Sequence, residues 1–368
     1  MNTYKFSKED TLCVKAAAII LMLFHHLFAF PDKLTAGATL NSLYTLSDGK
    51  TLEYILGDFG KLCVALFMML SGYGIYLSYK NNSSDISKTI LKRIKNAYIK
   101  YWQIFIIFIP LGAIIGAKNI SYLCSDWIKN FFAIDTTFNN EWWFMTIYLM
   151  ILCFFPLIIK WVDRKNANPW TDMIILIAFS AFAHTALPSF FSTNKYMSSF
   201  NGTYFFQKLS VVLAMLPMFT AGCYMAHYDI PAKIRNKMPH AFIAKLLGAA
   251  IIIITFILRQ KWAMRTQWGW DRIDFIYACT FCIGFAFLVD GFKYVKKALA
   301  FVGSQATGMW LIHTFFCYYY FQNFIYAPKN PILVFLLLFT ISLVLSWGIG
   351  KLYSIIGNYL RPLFVKSE

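Results

Sequence analysis

Charge is scarce in this sequence. Only 14% of its 368 residues are Asp, Glu, Lys or Arg, while 59% are hydrophobic, and a soluble domain carries roughly a quarter charged residues. A water-soluble globular fold is therefore excluded. The alternating ten-residue segments of a transmembrane β-barrel are missing too, so the apolar runs are expected to be helices. No Ser/Pro/Gly-rich linker divides the chain, which leaves one membrane domain over residues 11–351 and no soluble extracytoplasmic domain. No small-residue cleavage site follows the first apolar run, which is expected to remain in place as a helix. The eight cysteines offer one pair at metal-ligand spacing, Cys279 and Cys282. A lone pair lacks the second pair of ligands that a zinc site needs, so no metal is expected.

What the sequence does have is long apolar runs. Ten segments, at about 11–30, 59–79, 98–116, 142–160, 171–187, 208–226, 242–258, 273–291, 301–321 and 332–351, approach the roughly 20 residues that cross a hydrocarbon core. The expected fold is an all-α, polytopic membrane helix bundle of about ten spans. An even number of spans puts both termini on one side of the bilayer.

Acidic residues are outnumbered, 17 against 34 Lys and Arg. With both termini cytoplasmic, 22 of those Lys and Arg fall on the inner side and 12 on the outer, as the positive-inside bias requires. Because the charge sits in short loops beside spans, that bias accounts for the basic balance and no nucleic-acid partner is expected. One outer segment resists this pattern. "RQKWAMRTQWGWDR" (259–272) holds four basic residues, which fits a re-entrant loop or one that binds an anion.

Ionisable residues inside spans are costly and point to function. In "KAAAIILMLFHHLFAF", Lys15 and His26 stand eleven residues apart, which on a helix leaves them about 20° apart in direction and ~16 Å apart in height. His25 points about 80° away from that stripe. His26 is thus the candidate base, with Lys15 a cation on the same face, and His25 is expected to hydrogen-bond a neighbouring helix. Snorkelling of Lys15 to the inner interface is the plain alternative.

Four further stretches carry candidates. "SGYG" places Ser71 beside glycines that allow close backbone approach; helix packing alone would explain it. Gly112 and Gly116 form a GxxxG, a common packing pattern. "KTILKRIKNAYIKYW" (88–102) aligns lysines with Arg93; it suits anionic lipid, or a phosphorylated cytoplasmic donor held bidentately by Arg93. "NNEWWFM" sets Glu141 beside Trp142 and Trp143, either interfacial anchors or a carboxylate among aromatics that holds a sugar hydroxyl. "GSQATGMWLIH" ends in His313, where a packing histidine and a functional second histidine stand level.

Taken in this order, the motifs resemble the acyltransferase-3 family of membrane acyltransferases. A basic residue, ten residues and a histidine open the family's first helix; here Lys15 and His26 fit, with Lys in place of the commoner Arg. Gly60, Val64, Phe67, Ser71, Gly72 and Tyr73 match the second helix, with Cys63 where a second glycine is usual. The basic run around Arg93 leading to Tyr101-Trp102, then Trp143-Phe144, then Ser304 through Leu311-Ile312-His313 complete the set. The likeness spans 11–351.

The resemblance implies transfer of an acyl group, commonly acetyl from acetyl-CoA, to a hydroxyl of an extracytoplasmic polysaccharide or lipid-linked sugar. On this expectation acyl-CoA is a co-substrate and no cofactor is bound permanently. His26 is the base or is transiently acylated, Lys15, Arg93 and Ser71 handle the donor, and Glu141 and Trp143 handle the acceptor. The protein sits as a multi-pass protein in a bacterial plasma membrane, and acts alone or hands the acyl group to a separate partner protein. The competing expectation is a transporter of a small polar solute or sugar lipid on the same fold.

Overall fold

The structure is a computed structural model. It describes residues 4–35, 37–81, 85–193, 198–238, 240–262 and 271–364. Among these the chain is all-α, with no named strand and one isolated bridge, Thr45 to Thr51.

The helices are α1 (Lys8–Phe28), α2 (Leu52–Gly60), α3 (Leu62–Asn81), α4 (Ile86–Ile114), α5 (Cys124–Phe131), α6 (Trp143–Val162), α7 (Pro169–Ala181), α8 (Leu187–Thr193), α9 (Ser198–Asn201), α10 (Tyr204–His227), α11 (Ile230–Asn236), α12 (Ala241–Lys261), α13 (Asp274–Val289), α14 (Lys293–Thr314), α15 (Gln322–Tyr326) and α16 (Pro331–Phe364). Each of the ten expected spans falls on helix. Among the described residues, eight helical segments are long and apolar enough to cross a membrane. Of the other two expected spans, 273–291 corresponds to α13, which has only 16 residues. The expected 301–321 corresponds to α14, which starts earlier, at Lys293, and is followed by a π-helical turn at Phe315–Tyr319.

Local chemistry sets several helix ends. Asp85 accepts the Lys88 amide at 2.9 Å ahead of α4, an N-terminal cap. That bond and the Lys88 ammonium hold its carboxyl below the usual carboxylate range. At the other end of α4, Gly116 takes φ 67° while Ala117 N–H donates to the Gly112 carbonyl at 2.9 Å. Gly116 thus ends a helix instead of packing one, and the GxxxG expectation is corrected. Gly112 instead lies against the Tyr320 hydroxyl.

The chain forms two compact units, both discontinuous in sequence. The first comprises residues 1–21, 59–94 and 147–303. Its core is the α3–α10 pair. A Cβ on Gly72 would strike the Phe219 carbonyl, and one on Gly222 would strike the Met69 carbonyl. Here the two backbones touch, as only glycine permits. Gly248 on α12 and Gly284 on α13 make a second such approach.

At the end of α12, Arg259 is buried against Asp274, with Nε to Oδ1 at 2.8 Å and Nη2 to Oδ2 at 3.2 Å. One of the four unexpected basic residues of 259–272 is therefore a helical, charge-paired residue. Residues 263–270 of that stretch lie outside the described residues.

The second unit comprises residues 22–58, 95–146 and 304–368. Its core is aromatic. Trp142, Tyr101, Phe138 and Phe315 are among its fully buried side chains. Each polar tip finds an acceptor: Trp142 Nε1 donates to the Leu311 carbonyl at 3.0 Å and Tyr101 Oη to the Asn130 carbonyl at 2.6 Å, as buried indoles and phenols must. The Tyr101-Trp102 pair ties α4 to α5, Trp102 Nε1 donating to the Phe131 carbonyl at 2.9 Å.

Candidate functional site

The candidate residues belong to both units. The first unit holds the cations. Lys15 is half-buried, and the charges that act on it most are Arg93 and Lys8, both of its own sign. Arg93 comes within hydrogen-bonding reach of the Tyr148 hydroxyl. Its Nη2 stands 3.0 Å from where a Cβ on Gly74 would be. The last glycine of "SGYG" thus leaves the space that the guanidinium fills. Ser71, one turn away, donates its hydroxyl proton to the Phe67 carbonyl of its own helix at 2.8 Å, so only its oxygen lone pairs face outward chemistry.

Two lysines and an arginine gathered in this way repel one another. They can be stabilised together by an anion, and the fork of Arg93 suits a phosphate group.

The second unit holds the histidines. His25 and His26 are both buried, at 6% and 8% exposure. His25 Nδ1 lies 2.9 Å from the Gly57 carbonyl, an acceptor only, so Nδ1 carries the proton and the ring ties α1 to α2. This close approach requires Gly57, whose Cβ would lie 2.9 Å from the Phe24 carbonyl and the Ala29 amide.

His26 is set differently. Its Nδ1 lies 3.2 Å from the Tyr318 hydroxyl, and that hydroxyl donates its single proton to the His26 carbonyl at 2.6 Å. The phenol oxygen therefore accepts from Nδ1–H, and the basic lone pair of His26 belongs to Nε2.

His313 is fully buried, and its ring centroid is 4.9 Å from that of His26. Its Nδ1 faces the Trp310 carbonyl at 2.8 Å and the Met309 carbonyl at 3.2 Å. This fixes the proton on Nδ1, and the buried Nε2 has no hydrogen-bond partner. Two imidazoles, each with its Nδ1 at hydrogen-bond distance from an oxygen, thus stand side by side.

Around them lies a polar rim. Lys33 pairs with Glu141 at 2.8 Å and rests over the rings of Tyr318 and Phe30, at 4.4 and 4.6 Å. Gln322 Oε1 accepts from the Thr35 amide at 2.8 Å and from its hydroxyl at 2.7 Å. The Glu141 carbonyl accepts from Trp310 Nε1 at 3.3 Å. Trp143 is half-buried and packs edge-on against Phe144, which packs edge-on against Trp310.

Sequence reasoning named His26, His313, Glu141 and Trp143 but missed Tyr318, Lys33 and Trp310. Only one signal could have found Tyr318: the aromatic run "FFCYYYF" (315–321), which begins two residues after His313 and is too polar in its hydroxyls for a plain lipid-facing turn. Among the described residues, no group of three or more His, Cys, Asp or Glu gathers as a metal-ligand set.

His26 and His313 thus belong to one unit, and Lys15 and Arg93 to the other. Comparison with curated proteins and with solved structures returned no match. A family model described as an acyltransferase domain matches residues 13–351, nearly the whole chain, and the protein accordingly belongs to the acyltransferase-3 family of membrane acyltransferases.

Proposed function

We propose that this protein moves an acetyl group from cytoplasmic acetyl-CoA to a hydroxyl of an extracytoplasmic polysaccharide or lipid-linked sugar, in a bacterial plasma membrane. The observation that carries the reading is the tautomer of His26, with Nδ1 held by Tyr318 and the lone pair on Nε2. Lys15 and Arg93 engage the CoA phosphates, with Arg93 supplying the bidentate contact. No bound cofactor is required, because the thioester itself is the activated group.

The reaction balances as follows. His26 Nε2 takes the proton of the acceptor hydroxyl while the oxygen attacks the thioester carbonyl. The C–O bond forms, the C–S bond breaks, and the imidazolium returns its proton to the leaving CoA thiolate. His313, the neighbouring ring, presents its Nε2 to a substrate hydroxyl or to the proton on His26. Glu141 and Trp143 serve the acceptor, Glu141 through its pairing with Lys33. The protein either completes this transfer alone or hands the acyl group to a separate acyl-accepting partner protein.

The test is transfer of radiolabel from acetyl-CoA to envelope glycan in inside-out vesicles with and without the protein. Label in the glycan that depends on the protein supports the reading. Protein-dependent uptake of a small polar solute with no label from any acyl-CoA would overturn it.

A further inference from the structure

Acyl transfer turns a carbonyl oxygen into an oxyanion while the tetrahedral intermediate lasts, and an N–H donor already fixed beside that oxygen lowers the barrier. In the second unit most side-chain protons around His26 are taken. Tyr318 donates to the His26 carbonyl at 2.6 Å, and Trp310 Nε1 donates to the Glu141 carbonyl at 3.3 Å. Gln322 uses both amide protons, on the Lys33 carbonyl at 2.9 Å and on the Cys317 carbonyl at 3.0 Å. The Thr35 hydroxyl donates to Gln322 Oε1 at 2.7 Å.

Lys33 differs from all of these. Its ammonium carries three protons, and one of them goes to Glu141 Oε1 at 2.8 Å. The side chain is 42% exposed, so the other two are open to an incoming group. Tyr319, whose oxygen accepts from the Asn140 amide at 3.0 Å, keeps a phenol proton as well, but it is neutral. A charged donor is the stronger partner for a developing oxyanion.

Its placement relates it to the base. The ammonium lies over the Phe30 ring at 4.6 Å and over the Tyr318 ring at 4.4 Å. The same two rings flank His26: Phe30 stacks on the imidazole at 6.2 Å, centroid to centroid, and Tyr318 meets it edge-on at 5.6 Å. Base and cation thus share one aromatic wall. A lysine side chain ordinarily samples many rotamers, yet here both ends are held. Lys33 N–H donates to the Phe30 carbonyl at 3.1 Å and Gln322 holds the Lys33 carbonyl, while Glu141 and the two ring faces hold the head. Such fixing of a donor before the charge appears is what preorganised stabilisation requires.

We propose that Lys33 is a catalytic residue of acyl transfer, donating an N–H to the carbonyl oxygen of the acyl group as that oxygen becomes negative. The assignment rests on the reading that His26 is the base. As the acceptor oxygen adds to the carbonyl carbon, the π pair of the C=O bond passes to its oxygen and meets the ammonium. When that pair returns, the bond to the leaving group breaks, and Lys33 keeps its protons throughout.

The experiment measures kcat and KM for hydrolysis of p-nitrophenyl acetate by the purified full-length protein, comparing wild type, Lys33→Met, Lys33→Arg and His26→Ala. This ester forms the same oxyanion but contains no CoA and needs no sugar, because water adds to its carbonyl and p-nitrophenolate leaves. Lys33→Met should lower kcat about tenfold to a hundredfold with KM little changed, less than a fully buried donor would cost because Lys33 is partly solvated. Lys33→Arg keeps charged N–H donors and should recover most of that loss. Wild-type kcat in Lys33→Met, a loss confined to KM, equal losses in Lys33→Met and Lys33→Arg, or ester cleavage that does not depend on His26 would overturn the proposal. Lys33-dependent ester cleavage without any transfer from acetyl-CoA would overturn the donor reading and leave Lys33 in its role.

Discussion

The rings of His26 and His313 lie 4.9 Å apart, centroid to centroid, and are inclined by 55°. Both commit the Nδ1 proton to a fixed oxygen, His26 to Tyr318 and His313 to Trp310. Their basic lone pairs are thereby both on Nε2. From this relationship and from the charges that surround it, specific outcomes follow for individual variants.

Tyr318→Phe removes the oxygen that accepts from His26 Nδ1 and the donor to the His26 carbonyl in one step. A buried N–H left without its acceptor costs roughly 1–3 kcal/mol, so kcat should fall about tenfold to a hundredfold. The acetyl-CoA KM should stay near its wild-type value. Steady-state kinetics across pH check this, since the profile should shift as well as drop once the tautomer is no longer held.

Arg93→Lys keeps the charge but loses the fork. The acetyl-CoA KM should rise about tenfold with kcat little changed. Gly74→Ala should mimic it, because the added methyl would sit 3.0 Å from the Arg93 Nη2. Donor titrations of both variants check the pairing of these two positions.

Lys33 and Glu141 form an ion pair in which Lys33 is 42% exposed and Glu141 14%. At that exposure the pair should contribute little to stability, below about 1 kcal/mol. Its expected effect is on the acceptor. Glu141→Gln should raise the acceptor KM, and the exchanged pair Lys33→Glu with Glu141→Lys should recover part of the loss. Kinetics with acceptor varied, alongside thermal melts that barely move, test this.

Arg259 and Asp274 present the opposite case, an ion pair with both side chains almost wholly buried. Arg259→Met should destabilise by about 3–5 kcal/mol, because it leaves a buried carboxylate alone. Combining it with Asp274→Leu should restore most of that loss. Thermal unfolding of the detergent-solubilised single and double variants gives the answer.

The sequence made the helices legible because apolar runs near 20 residues have few other readings. It also placed Lys15 and His26 on one helix, since a spacing of eleven residues is fixed by helical geometry. Periodicity could not reveal what comes from irregular segments. Tyr318 sits in a π-helical turn and Lys33 in a short 3₁₀ segment. Neither has a spacing that relates it to His26. Gly116 was misread for a similar reason: a GxxxG pattern does not say whether its last glycine lies inside a helix or just past its end. Arg259 looked like a loop cation because its partner, Asp274, is fifteen residues away in sequence.

The central claim is that His26 performs the chemistry of acyl transfer. Its most direct test is transfer of radiolabel from acetyl-CoA to glycan by membrane vesicles carrying equal amounts of wild type or His26→Ala. The account predicts label in the glycan with wild type and none with His26→Ala, both proteins remaining in the membrane. Wild-type levels of transfer by His26→Ala would contradict it.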